Sequence, residues 1–350
     1  MSIIDWIVLG LTITFIVVYG TWKSRGARSL RGYVLSNNDT KWWVIGLSVM
    51  ATQASAITFL STPGQAFADG MRFVQFYLGV PIAMVVISVV AIPIYHQLKV
   101  YTAYEYLETR FDLKTRSLIA FLFLVSRSLA AGLTIYAPAI ILSVLLGWNV
   151  FYLCVVIGLV VTAYTLLGGT KAVNVTHIYQ MAIILIGMVV AGVIMVMKLP
   201  EDISFGDAFS IAGAMGKFNS ITVPSLEEFD LKDKYNLFSG LLGGTFLALA
   251  YFGTDQSQVQ RYLSGRSVTE SRLGLMFNGI FKVPMQFFIL FLGVMMFVFF
   301  QFDAHPLFFN EQVRSEMTES KYGEEFSRLE EDHKIIQSYQ QPKYRELLAA

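Results

Sequence analysis

The chain has 350 residues, 55% of them hydrophobic and 15% charged, against about 45–50% and about 25% in a typical soluble domain. That balance excludes an ordinary soluble protein, and a formal net charge of +1 excludes a nucleic-acid partner held by a basic surface. One cysteine, Cys154, cannot form an internal disulfide, and four scattered histidines give no metal-ligand spacing.

A helix needs about 20 mostly apolar residues to cross a hydrocarbon core. Eight segments meet that length: 4–22, 44–68, 73–97, 117–147, 150–168, 176–198, 235–257 and 274–301. The first has no basic flank and no small-residue cleavage site, so it reads as a retained helix rather than a signal peptide. The fourth exceeds the thickness of the core, so it must tilt or project. The reading is an all-α, multi-pass integral membrane protein.

Orientation follows from the short loops. Lys23, Arg25, Arg28, Arg31 and Lys41 follow the first span. Lys99, Arg110, Lys114 and Arg116 follow the third, Lys171 the fifth, and Arg261, Arg266 and Arg272 the seventh. The alternate loops carry Arg72, Lys217, Lys232 and Lys234. The first set is expected in the cytoplasm, with the N-terminus and residues 302–350 outside the cell membrane. Residues 199–234 form a polar connection, and eight acids between Glu311 and Asp332 mark a charged tail that reads as an exposed helix.

Two spans carry residues that suit an interrupted helix. The second is small and polar through Met50–Ser61, with Pro63 and Gly64 beyond. The seventh has Gly240, Gly243 and Gly244, then Tyr251 to Gln256. Unwound backbone inside a membrane survives only where protein or a water-filled cavity receives it, and its carbonyls can hold a cation. The other reading of the same residues is close helix packing. Charges within the spans are few. Arg127 and Lys282 are each a functional candidate, or else a structural ion pair or a base snorkelling to the interface. Asp255 is placed to pair with either base or to face water. His177 reads as a satisfied interfacial histidine rather than a proton relay, and Cys154 as a small core residue.

Four stretches in order resemble the sodium:solute symporter family: residues 42–70, residues 101–111 (YTAYEYLETRF), residues 164–173 (YTLLGGTKAV) and residues 255–267 (DQSQVQRYLSGRS). The resemblance covers about residues 4–301. It implies a LeuT-type fold of two inverted five-helix repeats behind an extra first helix. On that mapping 4–22 is the extra helix, 44–198 is the first repeat and 235–301 begins the second. The last three helices of that repeat are missing, as in a truncated symporter or a fragment, and 302–350 resembles an external loop.

The resemblance also implies function: sodium-driven symport of a small solute across the plasma membrane, with sodium as coupling ion and no organic cofactor. The backbone carbonyls of Ala51 and Ala54 are implied as half of a sodium site. Gln53, Ser55, Thr58, Tyr77, Arg127 and Lys282 are implied at the solute, with Tyr251 as a gate. Tyr77 stands where sugar-carrying members have an acid, and residues 135–142 resemble the iodide and monocarboxylate branch. An organic anion such as a monocarboxylate is therefore favoured over a sugar, and the Arg127 guanidinium suits a carboxylate. Two alternatives compete. A transporter-like receptor should continue into a signalling module, and none follows residue 301 here. A transmembrane enzyme needs convergent catalytic groups, and neither such a set nor a P-loop is present.

Overall fold

A computed structural model describes residues 3–24, 30–55, 57–223, 235–303, 307–308 and 311–349. The described chain is almost wholly helical: α1 (Ile3–Ser24), α2 (Leu30–Leu35), α3 (Trp42–Gln53), α4 (Thr62–Asp69), α5 (Gly79–Val89), α6 (Ala91–Leu98), α7 (Ala103–Arg110), α8 (Leu113–Leu146), α9 (Val150–Met197), α10 (Phe205–Ala214), α11 (Gly244–Thr254), α12 (Gln256–Leu263), α13 (Val268–Phe302), α14 (Glu311–Glu319) and α15 (Gly323–Ala349). Five stretches are long and apolar enough to cross a membrane: 3–20, 57–98, 113–146, 169–197 and 268–302. Shorter apolar helices run over 150–163 and 239–254.

The outward surface is what lipid requires. Leu118, Phe121, Leu129 and Leu133 on α8, and Leu159, Ile186 and Val190 on α9, are exposed. Helices satisfy their own backbone groups, so such apolar faces are stable only against hydrocarbon or another apolar surface. The chain is an integral, multi-pass membrane protein.

The interior is organised around α13, which packs on α3, α4, α5 and the 3₁₀ turns of residues 70–78. Its buried face carries Leu275, Asn278, Lys282, Gln286 and Leu290, at the spacing that keeps one side of a helix inward. Small residues bring the elements together. A side chain at Gly240 would meet the backbone of Gln75 at 2.7 Å, so the π-turn just before α11 touches the 70–78 segment directly.

The expected interruption of the second span is present. The helix stops at Gln53, Ala54 leaves helical geometry at φ −83°, ψ 80°, and a π-turn over Ile57–Ser61 leads into α4. The seventh span is interrupted within the second of its two expected stretches, Tyr251 to Gln256. Its glycines form a π-turn at Ser239–Gly243, and the break falls at Asp255, between α11 and α12. The segment 73–97 is not one helix. It starts in 3₁₀ turns and is offset at Val90 between α5 and α6.

The spans expected at 150–168 and 176–198 follow one another through α9, which is interrupted at Gly169, φ 57° and ψ −161°. That conformation is open essentially to glycine alone, and Tyr33 presses against it, leaving no room for a side chain. The tail is helical as expected but not wholly exposed. The Tyr344 hydroxyl donates to Gln301 Oε1 at 2.7 Å, Gln341 Nε2 donates to the Phe302 carbonyl, and Arg345 pairs with Asp202 at 2.8 Å. Tyr344 and Leu348 cover apolar ends of α10 and α13, which explains why a segment so rich in charge docks at all.

Candidate functional site

Where α3 ends, its last side chain faces a cavity. Gln53 lines a space of about 410 Å³ together with Phe73, Phe76 and Tyr77 from the 70–78 segment and Tyr251 and Phe252 from α11. The walls are mostly aromatic, with the Gln53 amide and two phenols as polar points. That composition suits a small ligand with an apolar body and one or two polar groups.

Behind Tyr77 lies Lys282. It is 1% exposed, and its Nζ sits 5.6 Å from the centre of the Tyr77 ring. Among the described residues the ammonium has no hydrogen bond and no ion pair. A lysine at the centre of a membrane helix costs about 3 kcal/mol on insertion scales. Ring contacts reach about 2 kcal/mol when desolvated but weaken towards about 6 Å, near this separation. The tyrosine alone therefore offsets only part of the cost.

Two amides flank Lys282 on the same face of α13. Asn278 Oδ1 accepts from Gln53 Nε2 at 3.3 Å, tying α13 to the end of α3. Gln286 is fully buried, and among the described residues neither of its amide atoms has a partner. Sequence reading did not single out either residue. Their signal is three polar residues at steps of four in an otherwise apolar helix.

Tyr251 is held from below. Its hydroxyl accepts from Gln258 Nε2 at 2.9 Å, and Gln258 is itself fully buried. The carbonyls left free at the end of α11 are taken by three phenols. Tyr262 donates to Phe252 at 3.1 Å, Tyr95 to Gly253 at 2.9 Å and Tyr104 to Thr254 at 3.3 Å. Burial pushes the Tyr104 hydroxyl up to about 12, so it stays a neutral donor. Asp255 then starts α12, accepting from the Ser257 N–H at 2.8 Å.

The remaining expected site residues lie elsewhere. Arg127 is outside the aromatic cavity, and its Nη1 pairs with Asp255 Oδ2 at 3.2 Å. Ala51 and Ala54 line a second space of about 360 Å³ with Thr12, Gln180 and Met181, away from the Gln53 cavity. The Ala51 carbonyl already accepts from the Ala54 N–H at 3.0 Å. Ser55 lies in the break, where its carbonyl accepts from the Thr58 N–H, and the Thr58 hydroxyl turns back to the Gln53 carbonyl at 2.9 Å. The geometry thus gathers Gln53, Tyr77 and Tyr251, with Lys282 beside them. It sets Ala51 and Ala54 on a separate wall, keeps Ser55 and Thr58 in the break, and gives Arg127 an acidic partner.

Comparison with known proteins adds the following. The sequence profile of the Sodium:solute symporter family matches residues 33–322. A human sodium/iodide cotransporter is 29% identical over 312 residues, 87% of this chain and 46% of that protein. A mouse sodium-coupled monocarboxylate transporter 1 is 30% identical over 264 residues, 75% of this chain and 42% of that protein. The chain therefore spans about half the length of these curated relatives. A solved structure of a Na+-coupled sialic acid symporter, in a substrate-bound outward-open state, superposes with a TM-score of 0.79 at 25% identity. It covers 86% of this chain and 62% of that one.

Proposed function

We propose that this chain, which belongs to the sodium:solute symporter family and has its LeuT-type helical architecture, takes part in sodium-driven symport of a small organic anion. The observation that carries the anion is Lys282: a buried ammonium without a carboxylate partner among the described residues, beside a cavity whose polar lining groups are neutral. An anionic solute supplies the missing charge. Relatives named for iodide, monocarboxylate and sialic acid all handle anions, which supports the same reading.

In this proposal Gln53 orients the solute, Tyr77 and Phe76 cover its apolar part, and Tyr251 closes the path below it. Ser55 and Thr58 act through the geometry of the break rather than by lining the cavity. Ala51 and Ala54 offer carbonyls to sodium on the other wall of α3, where a hard cation finds oxygen ligands at interrupted backbone. Sodium and solute then bind on opposite sides of one broken helix. Linkage requires that sodium raise solute affinity and that solute raise sodium affinity by the same factor. Arg127, paired with Asp255, positions the α11–α12 joint. The face bearing most of the loop lysines and arginines is cytoplasmic in this proposal, and the membrane is the plasma membrane.

The test is equilibrium binding of labelled propionate to the protein in lipid nanodiscs, with sodium and with choline replacing it. Binding is expected only with sodium, and Lys282→Met should weaken it by more than about tenfold while leaving thermal stability equal or higher, because an uncompensated buried charge is removed. Unchanged affinity in Lys282→Met overturns the anion assignment.

A further inference from the structure

We infer that Tyr235, in the connection leading to α11, sets from outside the cavity how large a solute body the aromatic wall admits. Tyr235 is not among the residues lining the Gln53 cavity. It acts through two that are, Phe73 and Phe76, and is therefore a positioning residue. The inference rests on the reading of that cavity as the site of a small organic anion.

The 70–78 segment explains the arrangement. It is a 3₁₀ helix of nine residues, where runs longer than about three or four are uncommon. In such a helix residues i and i+3 lie one above the other. Phe73 and Phe76 therefore form an aromatic ridge, and Arg72 and Gln75 a polar one. The ring centres of Phe73 and Phe76 are 5.8 Å apart.

The polar ridge holds the backbone of Tyr235. Arg72 Nη2 donates to the Tyr235 carbonyl at 2.8 Å, and Gln75 Nε2 donates to the same oxygen at 3.1 Å. Gln75 is fully buried, and its Oε1 accepts from the Thr222 N–H at 3.2 Å. Arg72 Nε donates to the Thr222 hydroxyl at 3.1 Å, and the Leu237 N–H donates to the Thr222 carbonyl at 2.9 Å. Thr222 and the 235–237 stretch are thus fastened to each other and to the 70–78 segment.

The aromatic ridge meets the ring of Tyr235. The ring centre lies 6.0 Å from that of Phe73 and 6.0 Å from that of Phe76, at interplanar angles of 84° and 89°. Edge-to-face contact of this kind is a preferred arrangement for aromatic pairs. The far end of the ring is fixed as well, because the Tyr235 hydroxyl accepts from Gln65 Nε2 at 2.7 Å. A ring held at both ends blocks the retreat of Phe73 and Phe76 when a bulkier body enters the cavity. When a packed side chain is shortened, its neighbours relax partly into the space it leaves. Shortening Tyr235 gives the two wall rings that space, and the cavity widens on their side.

The test compares two acids with the same head and different bodies, propionate and 3-phenylpropionate. Equilibrium binding of each is measured with sodium on the full chain in lipid nanodiscs. In Tyr235→Leu the ratio of affinities should move towards 3-phenylpropionate by about tenfold or more, the scale on which an apolar pocket separates bodies of different size. Tyr235→Ala should move it at least as far. If that variant does not fold, Tyr235→Leu, which fills more of the space, carries the test. Tyr235→Phe loses the bond from Gln65 but keeps the ring, and it should keep the wild-type ratio. Wild-type binding with an unmoved ratio in Tyr235→Leu, including equal weakening of both acids, overturns this inference alone. An equal shift in Tyr235→Phe also overturns it, because the ring is then not what sets the size. Binding of neither acid by the wild-type chain overturns the solute reading and this inference with it.

Discussion

Gln258 donates a 2.9 Å hydrogen bond to the hydroxyl of Tyr251 across the break at Asp255, so a cavity-lining side chain on α11 is set by a buried amide on α12. Among the described residues, the carbonyl of that amide has no partner. Gln258→Leu removes both the bond and the unsatisfied oxygen, and the two effects on stability oppose each other. A typical hydrogen bond contributes about 0.5–1.5 kcal/mol, so solute affinity should fall roughly threefold to tenfold with little change in melting temperature. Binding isotherms and thermal melts on the same sample check this. A large loss of stability with unchanged affinity would mean that Gln258 only packs.

Asp255 makes two kinds of contact and Arg127 one. Asp255→Ala loses the cap of α12 and the pair with Arg127, whereas Arg127→Ala loses the pair alone. A cap is worth about 1 kcal/mol and a partly exposed pair about 0.2–1 kcal/mol. Asp255→Ala should therefore destabilise by about 1 kcal/mol more than Arg127→Ala. The double variant should be close to Asp255→Ala, as denaturation of all three would reveal.

Gly169 is the least replaceable residue of α9. Alanine there meets an unfavourable backbone region and Tyr33 at once. Gly169→Ala should cost more than about 2 kcal/mol. Gly187→Ala, whose added carbon meets nothing within 4 Å, should cost almost none. Membrane yield and melting temperature of the two variants give the comparison.

The first turn of α10 should respond to acid. The Asp207 carboxylate accepts from both the hydroxyl and the N–H of Ser204, and these bonds hold the Asp207 carboxyl below the usual aspartate range. A depressed folded pKa means the stabilisation is present above the ordinary aspartate value and disappears as pH falls through the depressed one. Amide exchange over residues 204–208 should speed up in that acidic window, and Asp207→Asn should weaken the response.

Much of the architecture was readable from composition. Long apolar runs separated by basic loops mark most of the membrane helices, and the polar stretch after Met50 marks the interruption of the second span. The sequence offers two stretches for the break of the seventh span, and only the fold shows that Gly240 and Gly244 serve close backbone packing while Asp255, an N-cap, ends the helix. Arg127 and Asp255 were visible as charges in or at the ends of the spans, but they lie 128 positions apart, and only folding joins the pair. Asn278, Gln286 and Gln258 escaped notice because a single amide in an amphipathic or apolar helix looks like a packing residue. Its role depends on whether its partners exist, and sequence spacing does not count partners.

The three phenols that close the end of α11 belong to α6, α7 and α12. Tilting α11 by a small angle strains all three bonds together, and each donor residue is buried. Partial motion therefore gives up hydrogen bonds without replacing them, so intermediate positions are high in energy. The joint behaves as a latch with discrete positions rather than as a soft spring. A joint built this way is expected to change position in one cooperative step.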